Sequence, residues 1–200
     1  MHRYMSIAAV LLASLAVPDI GAATSYRIDP EHTGVTFRVR HLLTKVEGRF
    51  TQFDGTVEFT LDEPEKATIV GTIDVASIDT DVTERDEHLR SKDFFDVAKY
   101  PKISFESTSV ADVDAQKKTA KIHGNLTLHG VTKAVVLEAE FVGEATDPWG
   151  NKKAGFTAQT TINRKDFGLN WNEALETGGV LVGDEVQIRI DAEAFINDDE

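Results

Sequence analysis

The sequence predicts an all-β domain, closed as an antiparallel barrel or paired as a sandwich, on three observations. Apolar and polar residues alternate with period two through successive short segments, turn-forming residues separate those segments, and only one segment has helical character. An apolar sheet face with so little helix to cover it must pack against another part of the same sheet.

The elements follow in chain order. After a short run at 26–29, Val35, Phe37 and Val39 alternate with Thr36, Arg38 and Arg40. The turn Leu42-Leu43-Thr44 places Lys45 and Arg49 on a return strand. Phe53, Gly55, Val57, Phe59 and Leu61 keep one phase, and Ile69, Gly71, Ile73 and Val75 continue it after the turn Asp62-Glu63-Pro64. The helix is expected over roughly Val82 to Ser91, capped by Thr80 or Asp81. Phe94 and Phe95 follow it and must bury, either plugging a barrel end or touching a ligand. A run at 102–107 containing Phe105 leads to the turn Asp112 to Lys118. Next come Ala120, Ile122, Gly124, Leu126 and Leu128, the reversal His129-Gly130, and Val135, Leu137, Ala139 and Phe141. Asp147 to Asn151 turns the chain into Ala154, Phe156, Ala158 and Ile162. A second helical turn is expected near Asn170 to Glu176, before Val186, Ile188, Ile190, Ala192 and Ala194. The total is about eight strands. Trp149, in a turn, is expected to be exposed and Trp171 to be packed.

The first 23 residues are read as a cleaved secretory signal, because Arg3 precedes an apolar run from Ile7 to Val17 that ends in small residues, Gly21-Ala22-Ala23. The run is too short to cross a bilayer as a helix. Residues 24–200 then form a single domain beginning at Thr24. The chain has no cysteine, so stability must come from core burial, and thiolate chemistry is absent. A net charge of −13 makes nucleic acid a poor partner. An outer-membrane barrel would need aromatic girdles, for which two Trp and three Tyr are too few.

The apolar phase contains very small residues: Gly55, Gly71, Gly124, Ala120, Ala139, Ala154, Ala158, Ala192 and Ala194. Missing side chains leave volume, and an eight-stranded barrel is just wide enough to be filled by large side chains or to hold one small ligand. The same glycines also suit bulges or kinks that coil the sheet, and periodicity alone leaves both readings open. A lumen would be walled by Val35, Phe37, Val39, Phe53, Val57, Phe59, Ile69, Gly71, Ile73, Phe94, Phe95, Phe105, Ile122, Gly124, Leu126, Leu137, Phe141, Phe156, Ile162, Val186, Ile188 and Ile190. Phe placed at Gly71 or Gly124 is then expected to expel a bound ligand while the fold survives.

Six segments carry a resemblance to a known family: YRIDPEHTGVTFRVRH (26–41), VEGRFTQFDGTVEF (46–59), RDEHLRSKDFFDVAKYPKISFES (85–107), GNLTLHGVTK (124–133), INRKDFG (162–168) and VGDEVQIRI (182–190). The chain resembles the YceI-like polyisoprenoid-binding proteins of bacterial envelopes, with Thr33 where that family often has serine. The resemblance implies a lipocalin-like, extended antiparallel eight-stranded β-barrel with one or two short helices. It also implies a soluble periplasmic location and a lumen that takes a long isoprenoid tail, such as a polyisoprenoid or isoprenoid quinone. Such a protein would serve transport, storage or sequestration.

Enzyme chemistry needs a constellation, and His32, His41, His88, His123 and His129 offer none with metal-motif spacing. Neither a G-x-S-x-G elbow nor a glycine-rich phosphate loop is present. Structural roles are therefore expected for the histidines, with Arg85, Asp86 and His88 tying the helix to the barrel. The expectation is a binding protein that needs no cofactor and no metal. The alternatives are a hydrolase or isomerase acting on a lumenal substrate, or a scaffold with a filled core. Arg38, Arg40, Lys45 and Arg49 form the densest basic cluster, interrupted only by Glu47. They either pair across strands with acids or dock on anionic headgroups while Leu42 and Leu43 touch the apolar layer. Expected partners are thus an isoprenoid or other long-chain lipid and a transiently contacted membrane, with a homodimer left open beside a monomer.

Overall fold

The computed structural model describes residues 23–176 and 178–196; the expected signal segment, but for Ala23, lies outside them, and so does most of the acidic C-terminus. Eleven strands form one sheet: β1 (Thr24–Ile28), β2 (Gly34–His41), β3 (Thr44–Phe50), β4 (Phe53–Phe59), β5 (Thr68–Asp74), β6 (Ile78–Asp79), β7 (Lys102–Asp114), β8 (Thr119–Leu128), β9 (Val131–Thr146), β10 (Lys152–Asn163) and β11 (Val182–Ile196). All neighbours are antiparallel. β11 pairs with β10 along one edge and with β1 and β2 in succession along the other, which closes the barrel. Because β1 runs on into β2, β3 into β4 and β5 into β6, the wall has eight lanes in simple up-and-down order.

The three broken lanes are adjacent, and polar groups hold each break. Between β1 and β2, the Asp29 N–H donates to the Glu193 carbonyl (2.8 Å), and the Thr33 hydroxyl bonds the Glu193 backbone in both directions (3.1 Å). Between β3 and β4, the N–H groups of Thr51 and Gln52 reach the Ser77 carbonyl and hydroxyl. The 3₁₀ turn Val75–Ser77 between β5 and β6 is capped by Asp74 and bridged by Arg90, which donates to the carbonyls of Ala76 and Ile78. The pairing shifts across these breaks: Tyr26 faces Val57, but Val35 faces Phe50. Such irregularities let long lanes coil enough to close a barrel.

One barrel end carries the Leu42-Leu43 turn, the helix α1 (Thr83–Arg90), the His129-Gly130 turn and the segments 164–176 and 178–181; the other carries both ends of the described chain and the Asp147–Asn151 turn. They are called the helix end and the terminal end. Each has its own core. Val75, Ile78, Phe167 and Leu169 centre the first, and Tyr26, Phe59, Phe141, Ala154 and Ala194 the second.

Two local expectations need correction. Neither Thr80 nor Asp81 caps α1. Its N-cap is Val82, without a side-chain bond, and the buried Asp86 carboxylate instead accepts from the Thr80 N–H (2.9 Å) and hydroxyl (2.6 Å). The helix side chain caps the preceding loop, so α1 is fixed by polar bonds rather than by an apolar stripe. No helical turn forms at 170–176. The helical turn falls earlier, at Arg164–Phe167, and residues 172–176 and 178–182 are held by Asn172, which bonds the Val182 backbone both ways, and by a bridge between Ala174 and Val180. Trp149 is 84% exposed, and Trp171 packs against His88 and Phe94.

Candidate functional site

Inside the barrel runs a cavity of about 860 Å³, in the upper part of the range of roughly 300–1,000 Å³ common for small-molecule sites. Its wall follows the period of the strands. Val35, Phe37 and Val39 of β2 border it, as do Phe53, Val57 and Phe59 of β4, Ile69, Gly71 and Ile73 of β5, and Phe105 of β7. On the far side stand Ile122 and Leu126 of β8, Leu137 and Phe141 of β9, Phe156 and Ile162 of β10, and Val186, Ile188 and Ile190 of β11. Phe94 and Phe95 border the helix end. Phe94 meets His88 and Trp171 at ring-centroid distances of 5.0 Å, and Phe95 packs edge-on to Phe50.

The small residues divide into two kinds. Gly71 opens onto the cavity, where an added Cβ would meet nothing nearer than the Asp54 carbonyl at 3.9 Å; Ala120, Ala139, Ala158 and Ala192 also border it. Gly124 does not. It is buried beneath the Phe105 ring, which an added Cβ would overlap, so the space is filled by a neighbour's side chain rather than left to a ligand. The expectation that Phe at Gly124 would displace a ligand and spare the fold is therefore corrected. Gly48 lies under Phe37 in the same way, while Ala154 and Ala194 face each other across β10 and β11 in the terminal core.

Polar groups gather mainly at the ends. Arg164 borders the helix end of the cavity although only 3% exposed. Its Nε donates to the Gly183 carbonyl (2.9 Å) and its Nη1 to those of Leu169 (2.6 Å) and Trp171 (2.9 Å), with Asp184 at 3.6 Å. Burial pushes the guanidinium pKa down, against the pull of Asp184, yet an arginine stays charged. Nearby, Arg85 donates from Nε to the Thr80 hydroxyl and from Nη2 to the Thr80 carbonyl, both at 2.7 Å. At the terminal end, Lys118 Nζ lies 5.4 Å from the centroid of the Phe141 ring. Tyr26 donates to Glu144 (2.8 Å), and burial together with that carboxylate pushes its pKa up to about 12.

The histidines are dispersed. His88 bonds Asp93 (3.1 Å), His129 bonds the Phe167 carbonyl, His123 borders an outer polar groove, His41 borders the lumen, and His32 bonds Asp29 (2.8 Å). Ligand atoms of Asp29, His32 and Glu193 lie within 4.8 Å of one another. The Lys153 ammonium already joins the two carboxylates, at 3.0 Å from Asp29 and 2.5 Å from Glu193. A cation of the chain's own thus stands where a metal would, and the cluster serves to pin the β1–β2 break to β11. Burial opposes the Asp29 carboxylate, but bonds from His32, Lys153 and the Glu31 N–H outweigh it and hold its pKa at about 2.

The basic cluster also divides. Arg38 pairs with Glu47 (2.6 Å), and Arg49 with Asp79 (2.6 Å) and Asp81 (3.0 Å). Arg40 instead donates to the Leu42 carbonyl (3.2 Å), and Lys45 to the Gln187 amide oxygen (2.8 Å). These two flank the hairpin tip, where Leu43 is 99% exposed.

A family model described as the YceI-like domain matches residues 26–194. The chain belongs to that family. A UPF0312 protein of Ectopseudomonas mendocina (strain ymp) is 42% identical over 167 residues, covering 82% of this chain and 86% of the relative. One from Pseudomonas savastanoi pv. phaseolicola is 46% identical over 150 residues, covering 74% and 77%. Among solved structures, Burkholderia cenocepacia BcnA aligns with a TM-score of 0.73 at 25% identity, over 83% of this chain and 98% of that one. A polyisoprenoid binding domain from Saccharophagus degradans shares the fold, with a TM-score of 0.60 at 16% identity, over 87% and 99%. The eight-lane barrel expected from the six sequence segments is thus the family's fold.

Period-two reasoning missed the residues at the ends. Arg164 and Thr80 border the cavity from irregular segments, Glu84 from α1, and Pro64 and Ala67 from the loop at the terminal end. Arg164 belongs to the INRKDFG segment, but the residue type alone points to the surface, and only the surrounding carbonyls explain its burial.

Proposed function

We propose that this chain is an exported lipid-binding protein that holds a long isoprenoid chain, a polyisoprenoid or isoprenoid quinone, in its lumen and carries or stores it across the periplasm. The observation behind this reading is the cavity of about 860 Å³ whose wall is built from apolar side chains of the strands. Family membership and the fold shared with a polyisoprenoid binding domain support the ligand class. The apolar run of residues 7–17 supports export, with Thr24 as the first residue of the mature chain. Among the described residues, no helix is long and apolar enough to cross a membrane.

Energetics set the mode of action. Burying each CH₂ is worth roughly 0.8 kcal/mol against water but close to nothing against a bilayer interior. The barrel therefore exchanges a tail with the membrane near balance and keeps it dispersed in water, with the fit to the lumen setting preference. Delivery requires contact with a bilayer, and the exposed Leu42-Leu43 tip flanked by Arg40 and Lys45 is suited to an anionic one. Arg38 and Arg49 already have acidic partners and contribute less. Organic extracts of the protein purified from its native envelope should contain isoprenoid lipid in near-stoichiometric amount by mass spectrometry. Lipid-free extracts, together with failure to take up isoprenoid from vesicles, would refute the proposal.

A further inference from the structure

Near the terminal end, the barrel wall loses its backbone pairing on one side. Strand β5 pairs with β7 from Asp74 opposite Lys102 to Val70 opposite Glu106, and the last link is the Ile69 N–H donating to the Ser107 hydroxyl (2.9 Å). Beyond it, residues 108–114 of β7 pair with β8 alone. Their free edge faces the loop 60–67, whose 3₁₀ turn Pro64–Lys66 packs against β7 without burying any of its own residues. The three lane breaks are bridged by polar groups, but among the described residues no hydrogen bond or ion pair crosses this seam. Each lip pairs its own charges: Glu63 with Lys66 (2.6 Å) on one, Asp112 with Lys121 (2.7 Å) and Asp114 with Lys117 (3.3 Å) on the other. What faces across is apolar. Leu61, Pro64 and Ala67 border the cavity from one lip and Val110 and Val113 from the other, although Leu61 is 58% and Val113 39% exposed. The cavity therefore reaches the surface here. Along the barrel axis the way is shut by rings, with the buried Phe59 and Phe141 at a centroid distance of 5.0 Å.

We infer that this seam is a side outlet of the lumen, which takes the distal isoprene units of a tail too long for the barrel and seats them between Leu61 and Val113. The inference rests on the lipid-lumen reading. Exposed apolar side chains on facing lips lose contact with water when a hydrocarbon chain lies between them. Parting the lips breaks no hydrogen bond, so no buried donor or acceptor is left unpaired. A strand of another chain is a poor occupant, because β7 is irregular opposite β8 between Ser107 and Ser109 and again between Ala111 and Asp114. Such bulges bend and blunt an edge. The outlet widens the ligand class from tails that the lumen encloses to polyisoprenoids that outrun it.

The test compares two alcohols with the same head, geranylgeraniol, whose tail fits within the cavity, and undecaprenol, whose tail exceeds it, as displacers of a lumenal fluorescent probe. The unmodified protein should bind both. Leu61→Glu combined with Val113→Glu should bind geranylgeraniol as before and undecaprenol about tenfold more weakly, the effect of returning roughly two CH₂ groups to water. A diazirine at the tail end of undecaprenol should, on illumination, label residues 60–67 or 108–114 of the unmodified protein, and the same group on geranylgeraniol should label neither lip. Undecaprenol binding that survives both substitutions overturns the outlet, as does an equal loss of both alcohols by the folded variant. Labelling by the long probe confined to other residues overturns it as well. If the double variant misfolds, the photoprobe on the unmodified protein decides alone. Binding of geranylgeraniol without undecaprenol overturns the outlet and leaves the lipid lumen standing, whereas failure to bind either refutes the lipid-lumen reading itself.

Discussion

The two ends of this barrel are closed by different physics. At the terminal end, rings pack on rings: Phe59, Phe141 and Phe156 meet one another at centroid distances between 5.0 and 5.9 Å, and Tyr26 joins them. At the helix end, the β3–β4 and β5–β6 lanes break side by side, and buried polar groups, Arg164, Thr80 and Asp86, hold irregular backbone in place. Apolar packing degrades gradually when trimmed, whereas a polar lock fails when one partner is lost, because its remaining groups stay buried and unpaired.

The sharpest way to break that contrast is Arg164→Met. It strands the carbonyls of Leu169, Trp171 and Gly183 and should cost about 3–5 kcal/mol in denaturant unfolding. Phe141→Ala should cost less, about 2–3 kcal/mol, because the ring already faces open space on its lumen side. A larger loss for Phe141 than for Arg164 would invert the comparison. Gly124→Phe should destabilise by about 1–3 kcal/mol, since the new side chain must displace Phe105, while Gly71→Phe should unfold at nearly the unmodified midpoint.

Acid sharpens the comparison at the polar β1–β2 joint. Asp29 has a folded pKa of about 2 against 3.8 for the unperturbed group. A depressed pKa contributes stability that is complete above the unfolded value and is lost as pH falls through the folded one. Unfolding followed between pH 5 and 2 should therefore show a loss, mainly below pH 4, of at most about 2 kcal/mol that is absent from Asp29→Asn. The smallest effect on stability belongs to the hairpin tip. Arg40→Gln with Lys45→Gln should shift stability by less than about 0.5 kcal/mol, yet slow lipid uptake from anionic vesicles, as should added salt for the unmodified protein. Uptake unchanged by both would remove the tip from the mechanism.

The same division explains what was legible in the sequence. Strand walls announce themselves by period two, which is why Val35, Phe37, Val186 and Ile188 fall on the cavity wall as the alternation implies. Gly124 misleads because alternation reports the face on which a residue lies, but not whether a neighbouring ring, here Phe105, crosses to fill the gap. The helix end is nearly silent: Arg164 reads as a surface residue, Thr80 reads as a helix cap, and residues 170–176 read as a helical turn. Each owes its place to specific carbonyls and carboxylates five to nineteen residues away, contacts that neither the strand nor the helix period encodes.

Native mass spectrometry of the unmodified protein beside Gly71→Phe, both purified from the same membranes, tests the central claim most directly. The unmodified protein should carry the mass of one isoprenoid lipid, and the folded variant, its lumen occupied by the new ring, should carry none. Equal adducts on both, or an unmodified protein that stays empty after incubation with isoprenoid-loaded vesicles, would contradict the account.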